Sequence, residues 1–224
     1  MNRRNLLASS AVVGLAPVAG CLTGLVDDEP SGEVVLDPPE ESTQGEPSYP
    51  TYGDPFPTFE LSDPLLETSV DVDSMDEECL VCTTFFATCP AECVPLMHAI
   101  STVQANSLES GLGDDVRFLA ITFDPERDTA DELSDHAEMV DVDLEAGNWH
   151  YLRPEDDDEA KTVVEDELGI PFEREELGDD YDFAHITVTF LVNPDGYVER
   201  SYRGENPSTE QITDDLETVI DDRE

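Results

Sequence analysis

Positive charge is what this chain of 224 residues is short of. It carries 10 lysines and arginines against 55 aspartates and glutamates, and Lys161 is the single lysine. A net charge of −45 repels a polyanion, which argues against nucleic acid as a partner. The acids are spread along the whole chain and not gathered in one tail. That pattern fits a solvated surface suited to high salt, where screening is short-ranged. A specific cationic partner is the other reading. Apolar runs long enough to cross a bilayer are also missing. The N-terminal run from Leu6 to Val18 is too short to do so comfortably. No internal repeat is visible, which sets aside solenoids and propellers.

The first twenty residues lack acids altogether. Arg3 and Arg4 stand before the apolar run, as in a twin-arginine export signal. The segment ends Val18-Ala19-Gly20-Cys21, which looks like a lipobox. On that reading residues 1–20 are removed, and Cys21 becomes the first residue and carries lipid. An ordinary signal peptide with a chance cysteine is the alternative. Outside the cytoplasm, cysteines can cycle between thiol and disulfide. Twin-arginine export usually carries proteins already folded.

Residues 21–57 are expected to be a lipidated cysteine followed by a disordered tether. The stretch is acidic, rich in proline, glycine and serine, and poor in apolar periodicity. The folded domain is expected over 58–224, starting near Phe59. Leu80 to Phe86 reads as a strand buried on both faces. A helix with Leu96, Ile100 and Val103 follows, then an apolar strand from Val116 to Phe123. Asp128 is placed to cap a helix from Thr129 onward, and a further helix is expected over 157–168. His185 to Val192 reads as a third strand. Asn193-Pro194-Asp195-Gly196 makes a turn, and Tyr197 to Tyr202 returns. Ser208, with Gln211 three residues on, opens the last helix. The pattern is that of an α/β protein.

Cys89-Pro90-Ala91-Glu92-Cys93 falls at a strand-to-helix junction. Residues four apart share a helix face, so both sulfurs can point to one spot. The helix N-terminus offers unpaired N–H groups, which favour thiolate. Glu92 opposes that effect. A structural disulfide, or two small buried residues, remain open for this pair. Cys79 and Cys82 form a second pair, but residues three apart on a strand face opposite sides. They are expected to be buried and inert, with a second redox or zinc site as the alternative. His185 opens an apolar strand, where a histidine is as often an edge residue as a ligand. His98, His136 and His150 read as surface or helix-face residues without an assigned role.

The segment Phe85-Phe86-Ala87-Thr88-Cys89-Pro90-Ala91-Glu92-Cys93 resembles the cysteine motif of the Sco (SenC) family. Asp124-Pro125-Glu126-Arg127-Asp128-Thr129 is similar to a loop of that family, and Trp149-His150-Tyr151-Leu152 to its tryptophan segment. His185, followed by a strand and the Asn193–Gly196 turn, stands where the family has its metal-binding histidine. The acid-rich composition resembles that of haloarchaeal proteins. The resemblance covers residues 59–224 and implies a thioredoxin-like fold, a central sheet flanked by helices. It also implies copper held by Cys89, Cys93 and His185, with Cys89 and Cys93 as a redox-active pair.

Thiolates suit Cu(I), and an imidazole completes three-coordination. Delivery to the copper-binding subunit of a respiratory haem-copper oxidase follows from the same likeness. Two departures stand out. Val94 intervenes before Pro95, where the family has proline directly after the second cysteine. Ala184 stands where an acid often precedes the histidine, and Asp182 or Asp124 is a substitute for that carboxylate. These departures keep open a metal-independent thiol-disulfide oxidoreductase. A peroxidase and a binding module without chemistry are remoter readings.

Overall fold

A computed structural model describes residues 33–39, 47–89, 93–178 and 180–222. The export signal and Cys21 therefore lie outside the described residues, as do Pro90, Ala91 and Glu92.

Among the described residues, the first strands form a short antiparallel ribbon, β1 (Glu60–Asp63) and β2 (Thr68–Asp71). Strand β3 (Cys79–Phe85) then enters the core with every residue buried. Helix α1 (Cys93–Glu109) follows, buries Leu96, Met97, Ile100 and Val103, and leads to β4 (Val116–Thr122). Helix α2 (Ala130–Met139) precedes β5 (Trp149–Leu152). Helix α3 (Asp157–Ala160) widens directly into a π-helical stretch, Lys161–Glu167. A separate hairpin is made by β6 (Phe172–Leu177) and β7 (Asp180–His185). Strands β8 (Val188–Val192) and β9 (Val198–Arg203) and helix α4 (Thr209–Asp221) complete the domain.

The central sheet runs β5-β4-β3-β8-β9. Strands β3, β4 and β5 are parallel, while β8 and β9 join antiparallel. Parallel neighbours need crossovers, which α1 and α2 supply. Burial of the central strands on both faces explains why Leu80 to Phe86 and Val116 to Phe123 read as largely apolar runs without alternation, Arg117 near the start of β4 being the charged exception. Helices α1 and α4 lie side by side, joined by Asn106 Nδ2 donating to Thr213 Oγ1 at 3.1 Å. The result is the expected thioredoxin-like fold.

Three local expectations differ. Thr129, not Asp128, caps α2, its hydroxyl accepting from the Glu132 N–H; Asp128 is turned into the core. His185 ends β7 and does not open β8. The hairpin from Phe172 to His185 was hidden by its composition, because its β6 strand is mostly charged and exposed.

Ordered packing also begins before residue 58. Leu36, Tyr49 and Phe56 are buried. The Glu199 carboxylate, fully buried, accepts from the N–H groups of Val35 at 2.8 Å and Leu36 at 3.0 Å. It also accepts from Asn193 Nδ2 at 2.7 Å. Residues 33–39 thus form a strap over the turn between β8 and β9. The lack of apolar periodicity misled the sequence reading, since the strap is held by the buried Leu36 and by hydrogen bonds to Glu199, Asn193, Tyr52 and Arg200.

Candidate metal and thiol site

The two cysteines flank the start of α1, where a parallel strand gives way to a helix. Cys89 is 8% exposed and Cys93 1% exposed. The backbone N–H of Cys93 donates to Cys89 Sγ at 3.3 Å. That bond spends one of the helix's unpaired N–H groups on sulfur, and it is stronger for a thiolate than a thiol. A turn holds Cys89 from the other side, its N–H donating to the Phe86 carbonyl at 3.2 Å.

The loop Asp124–Thr129 is fastened to this turn. Asp128 Oδ2 accepts from the Ala87 N–H at 2.9 Å and from the Thr122 hydroxyl. Burial pushes the Asp128 carboxyl up to about 6, against the pull of those two hydrogen bonds. Asp124, also buried, bonds the Arg127 guanidinium and accepts from the Tyr181 hydroxyl at 2.8 Å. It therefore faces Tyr181 and Arg127, while Asp182 accepts from its neighbour's Phe183 N–H at 2.8 Å.

His185 is half-buried at the end of β7. Its ring stands edge-on to Phe86 at 5.9 Å and lies 5.1 Å from Phe123. Phe86 begins the turn that ends in Cys89, so histidine and cysteine loop share one aromatic neighbour. Among the described residues, no three histidine, cysteine or carboxylate side chains stand together as a metal-holding group. The structure thus brings Cys89 to the Cys93 amide, and His185 to the base of the cysteine turn, without closing a three-donor cage.

The other pair behaves as expected of core residues. Cys79 and Cys82 are both fully buried in β3, and burial pushes the Cys82 thiol far up. His136 differs from its expectation as a surface or helix-face residue. It is buried, its Nδ1 lies 3.0 Å from the Tyr151 hydroxyl, and burial lowers its pKa to about 4. It is neutral at pH 7. His150 is half-buried and bonds Asp63 at 3.1 Å. Sequence reasoning missed Tyr181 and Arg174, which stack on one another in the hairpin that carries the histidine. The rarity of arginine in this chain was the usable signal.

The model of the SCO1/SenC family matches residues 54–221. The chain belongs to the SCO1/SenC family. A search of curated proteins finds no significant match. Among solved structures, a SCO1/SenC family lipoprotein from Bacillus anthracis is 20% identical with a TM-score of 0.63, covering 74% of this chain and 95% of that one. BsSco, described as a Sco-family cytochrome c oxidase assembly protein with a disulfide switch, is 22% identical with a TM-score of 0.61, covering 74% and 95%. Bradyrhizobium japonicum ScoI, solved with copper bound, is 20% identical with a TM-score of 0.61, covering 73% and 99%. At these identities the structures speak for the shared thioredoxin-like fold.

Proposed function

We propose that this SCO1/SenC protein binds copper through Cys89, Cys93 and His185 and delivers it to the binuclear copper centre of a respiratory haem-copper oxidase. The observation that carries this is the Cys93 N–H directed at Cys89 Sγ, 3.3 Å away, at the start of α1 in a SCO1/SenC chain. Such a dithiol favours a soft ion. His185, on a hairpin packed against the same turn, supplies a third donor of borderline character. Copper is cargo here. Exchange of the copper-bound thiolate pair with a partner disulfide closes Cys89–Cys93 to a disulfide, passes two electrons to the partner as its two thiolates, and withdraws both sulfurs from the ion. Release is thereby tied to redox state.

A lipid on Cys21, after export of the folded domain, would hold the protein on the outer face of the membrane. Among the described residues no helix is long and apolar enough to cross a membrane. Copper uptake by the reduced full chain tests the central claim. Stoichiometric uptake that disappears when Cys89, Cys93 and His185 are all alanine supports it, and unchanged uptake in that variant refutes it.

The alternative reading is metal-independent thiol-disulfide exchange, which needs only the Cys89–Cys93 pair, with the Cys93 N–H on Cys89 Sγ. One thiolate would attack a substrate disulfide and the other would resolve the mixed disulfide. On that reading His185→Ala keeps full reductase activity without copper.

A further inference from the structure

The β6–β7 hairpin that carries His185 is not part of the central sheet. A lone two-stranded ribbon is marginally stable in water. Its placement comes from side chains: Phe172 and Phe183 pack on Phe123 at the His185 end, and at the other end the contacts converge on Tyr181. The Tyr181 ring lies between two guanidinium groups, Arg127 at 3.8 Å and Arg174 at 3.4 Å from its centroid. Its hydroxyl donates to Asp124 at 2.8 Å, and its carbonyl accepts from Arg127 Nη1 at 2.8 Å.

Successive residues of a strand face opposite sides. Tyr181, Phe183 and His185 therefore form one row. The row is continuous: Tyr181 meets Phe183 edge-on at 5.6 Å, and Phe183 and His185 both lie against Phe86 and Phe123. A slip of one residue would turn this row outward and put Ala184 in the place of His185. Phe172, stacked on Phe123 at 5.0 Å, and Phe183 oppose such a slip at the His185 end, while the rest of β6 is exposed and mostly charged.

We propose that Tyr181 is a positioning residue for His185: clamped between Arg127 and Arg174 and bonded to Asp124, it fixes the face and height at which β7 presents the imidazole to the cysteine turn. The same short loop anchors the other half of the site, because Asp128 holds the Ala87 N–H at 2.9 Å. Arg153 steadies that loop, donating to the carbonyls of Pro125 at 2.6 Å and Asp128 at 2.9 Å. One mount, residues 124–128, thus carries both arms. The Arg127 guanidinium on the ring is mostly buried, so salt screens it less than the more exposed Arg174. The role in copper binding rests on the reading proposed above; the role in placing the imidazole does not.

The test uses the full chain with Tyr181→Leu, Tyr181→Phe and Arg174→Met. Two quantities are read: the metal-free nitrogen chemical shifts of the His185 ring, and competitive Cu(I) affinity. The reduction potential of the Cys89–Cys93 pair serves as control. Tyr181→Leu is expected to move the His185 shifts and weaken copper binding about tenfold or more, with the potential unchanged. Tyr181→Phe, which keeps the stacked ring, should restore most of the loss.

Wild-type His185 shifts in Tyr181→Leu would overturn the proposal. If that variant fails to fold, Arg174→Met decides, since Arg174 is a surface side chain. Displaced His185 shifts support the clamp, and unchanged ones refute it. Absence of copper binding by the wild type would defeat the copper reading alone, because the metal-free shifts still judge the positioning role.

Discussion

The carboxylate of Asp128 accepts the N–H of Ala87 at 2.9 Å, two residues before Cys89. A fully buried acid therefore sets the approach to the cysteine pair, and its ionisation has a measurable sign. Its carboxyl is raised from the ordinary 3.8 to about 6 by burial. Between those values the native state holds more of the proton than the unfolded chain does. Stability from this group is thus greatest at low pH and is lost as pH rises toward about 6. Relative to Asp128→Asn, the wild type should gain up to about 1.4 kcal/mol per pH unit on acidification through that window. Urea unfolding of both proteins from pH 4 to pH 7 checks it. His136, lowered to about 4, acts with opposite sign over the same range, losing stability as pH falls from 6.5. The comparison with Asp128→Asn cancels that contribution.

Glu199 predicts a structural role for residues that composition marks as a tether. Glu199→Ala leaves the half-buried N–H of Val35 and the buried N–H of Leu36 without their acceptor. The expected loss is about 3 kcal/mol of unfolding free energy. Hydrogen exchange should accelerate at Val35 and Leu36 first. Unaltered protection at both amides would contradict the strap.

Gly169 lies where the chain passes under residues 48 and 49. It has φ of +68°, and a Cβ there would collide with the Ser48 carbonyl. Gly169→Ala is expected to cost at least about 2 kcal/mol, from the left-handed backbone and the displaced neighbour together. Thermal unfolding reads it directly. A neutral effect would mean that this segment does not rest on Gly169.

The four cysteines of the folded domain should differ sharply toward an alkylating reagent. Cys89 is 8% exposed and accepts a helix N–H, whereas Cys79 and Cys82 are fully buried in β3. Mass spectrometry of reduced native protein should show Cys89 labelled first, and Cys79 and Cys82 only on unfolding. Rapid labelling of the β3 pair would revive a second thiol site.

The strands buried on both faces were legible because their apolar runs have no competing explanation. The cysteine pair was legible from its place at a strand end. The hairpin before His185 was not, because its β6 strand is mostly charged and its anchors, Phe172 and Phe183 on Phe123 and the arginines on Tyr181, meet residues distant in sequence. The burial of His136 escaped for a related reason: an acid-rich helix face conceals one inward imidazole. Residues 33–39 escaped because the groups that order them, Glu199, Asn193 and Arg200, are distant in sequence. What sequence cannot display is a contact between residues more than a hundred positions apart, such as Glu199 with Leu36.

Copper titration of the reduced full chain against His185→Ala, followed by absorption and electron paramagnetic resonance, bears most directly on the central claim. The wild type should bind one equivalent with thiolate-to-copper absorption, and the variant should bind more weakly with an altered spectrum. Identical affinity and spectra in the two proteins would contradict the three-residue site.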